Sequence, residues 1–216
     1  MLPWGLATFA REATTDDFRR LEDRLLRFET FDAAVGIRTL EDAATQELSA
    51  CDSHAQRALL LLEIPLAEKA LRTGAVRDFD QHIQSIKGRA TQVLACTPRD
   101  SLGWLVLFGL QVEQGQLGDR SFDLLDASYD SSPYEAWIGV RRLAVALPVV
   151  AQAPDPIRRK ILSEFGELIK SRFLDIPARA YSTVRGPARD LLQSVIDGLD
   201  PSSQKAFSQA LRQVRP

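Results

Sequence analysis

Residues 96–115 read CTPRDSLGWLVLFGLQVEQG, and residues 131–142 read SSPYEAWIGVRR. Both place a hydroxyl residue, a proline and an acid ahead of a tryptophan that heads an apolar run. Thr97, Pro98 and Asp100, like Ser132, Pro133 and Glu135, have the makings of a helix N-terminus. The capping hydroxyl accepts from a backbone N–H of the first turn, and proline fills the first helical position. The acid bonds back to the cap's own N–H. Read so, each stretch opens a helix, and its hydroxyl and acid are structural rather than catalytic.

Outward from these two starts, helical spacing dominates and strand alternation is almost missing. Phe18, Leu21, Leu25 and Phe28 recur at steps of three, four and three, which is one stripe of a helix. FDAAVGIRTLEDAATQEL reads as a second helix, weakened near Gly36. SHAQRALLLLEIPLAEKALRTG reads as a long one, kinked or divided at Pro65 and ended by Gly74. Phe79, Ile83, Ile86, Ala90 and Val93 stripe the next. Ile157, Ile161, Leu162, Phe165, Leu168 and Ile169 line one side of DPIRRKILSEFGELIKSRF. Pro156, Pro187 and Pro201 each stand where a helix would begin. The expected class is all-α.

Pro98 and Pro133 lie 35 residues apart, and Trp104 and Trp137 lie 33 apart. The intervening chain reads as helix, Gly-containing turn and second helix, at the length of a tetratricopeptide unit. Leu107, Leu124 and Ala127 fall where that repeat places apolar and small residues; Gly109 sits one place late, and Arg120 replaces a small residue. A lone hairpin cannot cover its apolar face, so neighbouring hairpins must stack. The expectation is a right-handed α-solenoid of antiparallel helix hairpins, degenerate in sequence, occupying 16–216 as one helical-repeat domain. Residues 1–15 would be an N-terminal segment beside, or left from, an anchor.

The 216 residues carry 27 basic and 29 acidic side chains, so no basic excess points to nucleic acid. The chain is long enough to bury roughly 70–75% of its unfolded surface without a metal or a disulfide. Cys51 and Cys96 match no metal-ligand spacing. Two buried reduced thiols are the simpler reading, with a disulfide as the alternative. No apolar run reaches about 18 residues, the length that spans a bilayer. No nucleotide, hydrolase or metalloprotease motif is present, and no cofactor or metal is expected.

Several side chains invite a functional reading. In SPYEAWIGVRR, Trp137, Val140, Ala144 and Leu147 form the expected buried stripe, with Trp104 and Trp137 as core residues. Arg141 projects within about 40° of Trp137 and of Val145 at helical spacing, inside the apolar arc. A charge there requires a carboxylate partner or a carbonyl cage. It reads either as a buried pair joining two helices or as an arginine lining a groove for an anionic ligand. Arg142 is expected in solvent. Asp119, Asp123, Asp126 and Asp130 share one helix face, as a wet outer surface or as an acidic docking strip. Arg158, Arg159 and Lys160 read as a wet face that could meet anionic lipid or polymer. His54 and His82 have no visible companions. Candidate binding residues are Tyr134, Arg141, Arg142, Asp119, Asp123 and Asp126.

TPRDSLGWLVLFGLQVEQG, SYDSSPYEAWIGVRRLAVAL and VRGPARDLLQSVIDGLDPSSQKAFSQALR, in that order, resemble tetratricopeptide-like accessory proteins of alphaproteobacteria. The genes of that family tend to lie beside exopolysaccharide or O-antigen assembly genes. The resemblance covers about residues 50 to 214, with Pro133, Glu135, Trp137, Ile138, Arg141 and Arg142 at the family's places. It implies a non-catalytic scaffold, partnered by proteins of polysaccharide assembly, on the periplasmic face of the envelope. A chain complete as given, without the anchor that many members carry, would instead be soluble in the cytoplasm. Direct glycan binding is the rival, and it needs exposed aromatic faces beside Arg or Asp in a groove. An enzyme would need convergent ionisable groups in one pocket.

Overall fold

The computed structural model describes residues 16–46 and 48–214, apart from the Asp119 side chain, and among them there is helix and no strand. The expected segment 1–15 lies outside the described residues. The helices are α1 (16–26), α2 (Ala33–Thr45), α3 (Ser53–Thr73), α4 (Val76–Cys96), α5 (Ser101–Glu113) and α6 (Asp119–Ser131). There follow α7 (Ala136–Ala146), a 3-10 segment (Leu147–Gln152), α8 (Asp155–Lys170), α9 (Asp175–Thr183), α10 (Pro187–Asp197) and α11 (Pro201–Val214). The chain divides into two compact units, Met1–Leu110 and Gln111–Pro216. The division falls inside α5, within the stretch that reads as one repeat.

In the first unit α3 packs against α2 and α4. Phe18, Ala43, Ala55, Ala58 and Leu59 form a core there, with Leu21, Leu40 and Leu48 against it. α3 runs through Pro65 undivided and ends at Gly74, whose φ of 71° is the left-handed conformation that glycine adopts without Cβ strain. Three helices of this unit are tied by charge. Arg57 on α3 reaches Glu22 on α1 at 2.7 Å and Asp100, ahead of α5, at 3.2 Å. Glu22 also holds His54, while Glu63 accepts from Ser85 at 2.8 Å and sits 3.2 Å from His82. Both histidines therefore have a buried glutamate as companion, which their sequence neighbours do not reveal.

Cys51 and Cys96 are bonded to each other, with Cα atoms 5.3 Å apart, an ordinary disulfide separation. This corrects the reading of two buried thiols. Cys51 is exposed and Cys96 half-buried, so neither is the hidden small hydrophobe that a free cysteine tends to be. The bond closes the open end of the α3–α4 hairpin.

In the second unit α6 packs on α8 and α8 on α10, while α7 packs on α9 and α9 on α11. α7 also lies against α8. Phe165 of α8, Tyr181 of α9 and Phe207 of α11 meet in the core, with ring centroids 5.6 to 6.5 Å apart. These edge-on and offset contacts suit the quadrupoles of the rings.

Three of the proline starts hold: Pro156, Pro187 and Pro201 lie in the first turn of α8, α10 and α11. The other two are corrected. Thr97 to Asp100 forms a turn closed by Asp100 N–H to Thr97 C=O at 3.0 Å, and α5 starts three residues later than expected. Asp100 itself is the cap, accepting from Gly103 N–H at 2.8 Å. Ser132 and Glu135 likewise flank a turn: α7 begins at Ala136, and Glu135 precedes it without a side-chain cap bond. The reason is that proline's fixed φ fits the second position of a tight turn as well as the first of a helix.

The expected stripe is buried at Val140 and Leu147 and displaced by one residue elsewhere. Trp104, Leu107, Leu124, Ala127 and Trp137 are half-buried and Ala144 is exposed, whereas Phe108, Leu125, Ile138 and Leu143 have no exposed surface. α5 is apolar around nearly its whole circumference, so its sequence does not select the inward face.

Candidate functional site

A candidate site lies in the second unit, between the turn 132–135, the start of α7 and one face of α8. Its foundation is Arg142, and here the sequence reading is corrected. Arg142, expected in solvent, is completely buried, while Arg141 is half-buried. Arg142 grips Glu164 of α8, with Nη2 2.6 Å from Oε1 and Nε 3.0 Å from the same oxygen. It donates further to the carbonyls of Ser128 at 3.0 Å and Ser132 at 3.1 Å. Those carbonyls lie at the end of α6, where partial negative charge accumulates; Ser128 C=O also accepts from Ser132 N–H at 3.3 Å. The expected buried arginine pair between helices thus exists, one residue later than placed.

Tyr129 completes the cluster. Its ring lies 4.4 Å from the Arg142 guanidinium carbon, and its hydroxyl donates to Glu164 Oε2 at 3.0 Å. Burial, reinforced by the Glu164 charge, lifts the Tyr129 hydroxyl well above the usual phenol range, so it remains a donor. Burial also raises the Glu164 carboxyl, against the opposing pull of Arg142 and Tyr129. Gly139 makes the arrangement possible: a Cβ there would stand 2.9 Å from Glu164 Oε1.

Above this floor runs a groove of about 930 Å³, at the upper end of ligand-site volumes. Pro156, Lys160, Ser163, Glu167 and Ser171 border it along α8. The 15 steps from Pro156 to Ser171, which follows the last residue of α8, correspond to about 22 Å at the helical rise. Tyr134 and Glu135 form the facing wall, and Phe173 also lines it. Tyr134 is 97% exposed and Phe173 50%.

Most charged groups of the groove are already engaged. Lys160 is held by Asp126 and by Asp130 at 2.7 Å; burial draws its pKa down, but the two carboxylates outweigh this and raise it. Glu167 pairs with Lys170 at 2.9 Å, and Glu135 accepts the Trp137 indole N–H. Both carboxylate oxygens of Glu164 are occupied by Arg142 and Tyr129. Chemically the groove offers rings, hydroxyls and charged side chains most of which are held by neighbours.

The other sequence candidates disperse. Arg141 donates to the Trp137 carbonyl at 2.7 Å and lies 5.7 Å from the indole. Burial pulls it down to about 10, so it stays a cation at neutral pH. Asp126 is consumed by Lys160, Asp123 is exposed, and the Asp119 side chain lies outside the described residues. Trp104 donates its indole N–H to Pro98 C=O at 2.8 Å. Arg158 pairs with Asp155 at 2.8 Å, leaving Arg159 exposed at the groove.

Glu164, Tyr129 and Phe173 were missed, yet one signal was present. Glu164 falls about 20° from Ile157 and about 40° from Leu168 at helical spacing, inside the apolar arc of α8. An acid so placed asks for a partner as Arg142 does. Among the described residues no cluster of His, Cys, Asp and Glu is placed to hold a metal ion, and no helix is long and apolar enough to cross a membrane.

No family model, curated protein or solved structure matches the chain. What the fold defines is an all-helical protein with a ligand-sized groove in its second unit.

Proposed function

We propose that the chain is a non-catalytic helical-repeat scaffold that supports assembly of a bacterial cell-surface polysaccharide through contacts with other proteins. The observation that carries the non-catalytic part is the engagement of Glu164, Lys160, Glu167 and Glu135 in bonds within the protein. Catalytic acids and bases need a proton-accepting or proton-donating position facing the reactant; both oxygens of Glu164 are taken by Arg142 and Tyr129, and Lys160 is held between two aspartates.

The reading takes the helices as stacked antiparallel hairpins of a right-handed α-solenoid. It is supported by the second unit's two rows, α6–α8–α10 and α7–α9–α11, since stacked hairpins bring every other helix together. The Cys51–Cys96 bond supports a place outside the reducing cytosol, where such bonds persist. The polysaccharide link rests on the resemblance of TPRDSLGW and SPYEAWIGVRR to the accessory family.

The test is deletion of the gene in its native host, with quantification of surface polymer, together with affinity purification of the tagged chain after crosslinking. A drop in polymer and recovery of a polysaccharide-assembly protein are expected. Unchanged polymer with no such protein recovered would overturn the scaffold role.

A further inference from the structure

We infer that the groove beside α8 binds a neutral polysaccharide chain directly, an activity that goes beyond holding protein partners. The inference is carried by what lines the groove. Two aromatic side chains stand there in water, Tyr134 at 97% and Phe173 at 50% exposure. Along α8 lie the exposed hydroxyls of Ser163 and Ser171 and the carboxylate of Glu167, with Glu135 on the facing wall. A pyranose has one face of C–H bonds and a rim of hydroxyls. The face stacks on an aromatic ring, and the rim donates to carboxylates and exchanges bonds with serine hydroxyls. The groove supplies both complements.

Other occupants fit worse. An amphipathic helix needs aliphatic pockets for anchors spaced three and four residues apart. Here the aliphatic lining is slight: Leu168 is 6% exposed, and Ala136 is the other aliphatic side chain apart from the prolines. A polyanionic chain would meet the carboxylates of Glu135 and Glu167 and the Asp126–Lys160–Asp130 group, whose two acids outnumber its lysine, against one exposed cation of the lining, Arg159. The length along α8, about 22 Å, suits an extended ligand rather than a single small molecule. The Arg142–Glu164–Tyr129 cluster ties α6, α7 and α8 to one another, so the helices beneath the groove are held before the ligand arrives. Such preorganisation lowers the ordering cost of binding.

The experiment is an array of neutral and acidic bacterial and plant oligosaccharides of four to eight sugars, probed with the full chain in its oxidised form. The chain should retain on neutral members. Tyr134→Ala and Phe173→Ala should each weaken retention about fivefold or more, the loss expected on truncating an aromatic anchor. Val76→Ala, at a 67% exposed position of the first unit, should change nothing. Circular dichroism checks folding, and Tyr134→Ala decides the matter if Phe173→Ala proves unstable. No retention on any neutral member, retention only on acidic ones, or retention indifferent to Tyr134→Ala would overturn the inference. A deletion strain with normal polymer would remove the scaffold role yet leave array binding untouched, so the two failures are separable.

Discussion

Arg142 of α7 and Glu164 of α8 form a two-point ion pair, 2.6 and 3.0 Å, in which the arginine side chain has no exposed surface and the glutamate 11%. Removing one member of such a pair strands a charge in low dielectric, while removing both does not. Glu164→Leu is expected to cost about 3–5 kcal/mol of stability. Adding Arg142→Met to it should recover much of that loss. Urea unfolding of the two single variants and the double variant checks this, and equal additive losses would refute the pairing.

Gly139→Ala tests the close approach of α7 and α8. The added methyl would sit 2.9 Å from Glu164 Oε1 and must push that carboxylate off Arg142. Although alanine is the better helix former, the expected result is a net destabilisation of about 1–3 kcal/mol, the usual cost of overpacking. A rise in melting temperature would contradict it.

The disulfide should matter to stability. Closing a loop of 45 residues restricts the unfolded chain by about 4 kcal/mol in the loop-entropy account. Reduction, or paired Cys51→Ala and Cys96→Ala replacement, should lower stability by an amount of that order. Mass spectrometry after alkylation without reductant should find neither Cys51 nor Cys96 alkylated in protein taken from the cell, and both alkylated once the protein is reduced first.

Helix starts can be tested at Thr97 and Asp100. Asp100→Ala removes the α5 cap and a partner of Arg57 together, and about 2 kcal/mol or more should be lost. Thr97→Ala should stay within about 0.5 kcal/mol. The reverse order would restore Thr97 as the cap.

Asp200 caps α11 and gives a pH dependence. Bonds from the Ser203 and Ser202 side chains and backbone hold its carboxyl well below the usual aspartate range. A depressed folded value adds stability above the unfolded pKa of about 3.9, and this is lost as pH falls further. Asp200→Asn keeps an acceptor for the same N–H groups but not the charge. Its melting temperature should fall below wild type at pH 7, and the gap should close between pH 4 and strongly acidic conditions.

Much of the fold was legible because helix-forming spacing is a local property. The stripe of α8 appears nearly as read: Ile157, Ile161, Phe165, Leu168 and Ile169 are buried, and Leu162 is half-buried. Gly74 ends α3 as glycine's conformational freedom demands. The candidate site was less legible. A proline after a hydroxyl residue serves a turn or a helix equally, so Pro98 and Pro133 were misplaced while Pro156, Pro187 and Pro201 were not. Periodicity built on Trp137 placed Arg141 inside the apolar arc and Arg142 in solvent, but the buried face is centred one residue later, on Ile138, and it is Arg142 that turns inward.

The sequence by itself determined that the chain is helical, where most helices run and that one arginine after Trp137 needed a buried partner. These follow from backbone propensity and the 3.6-residue repeat, which act over a few neighbours. Only the tertiary structure decided that the arginine is Arg142, that its partner is Glu164, and that Tyr134 and Phe173 line one groove. Arg142 and Glu164, 22 positions apart, meet through the packing of whole helices, and helix packing selects a face that the helix's own sequence leaves open.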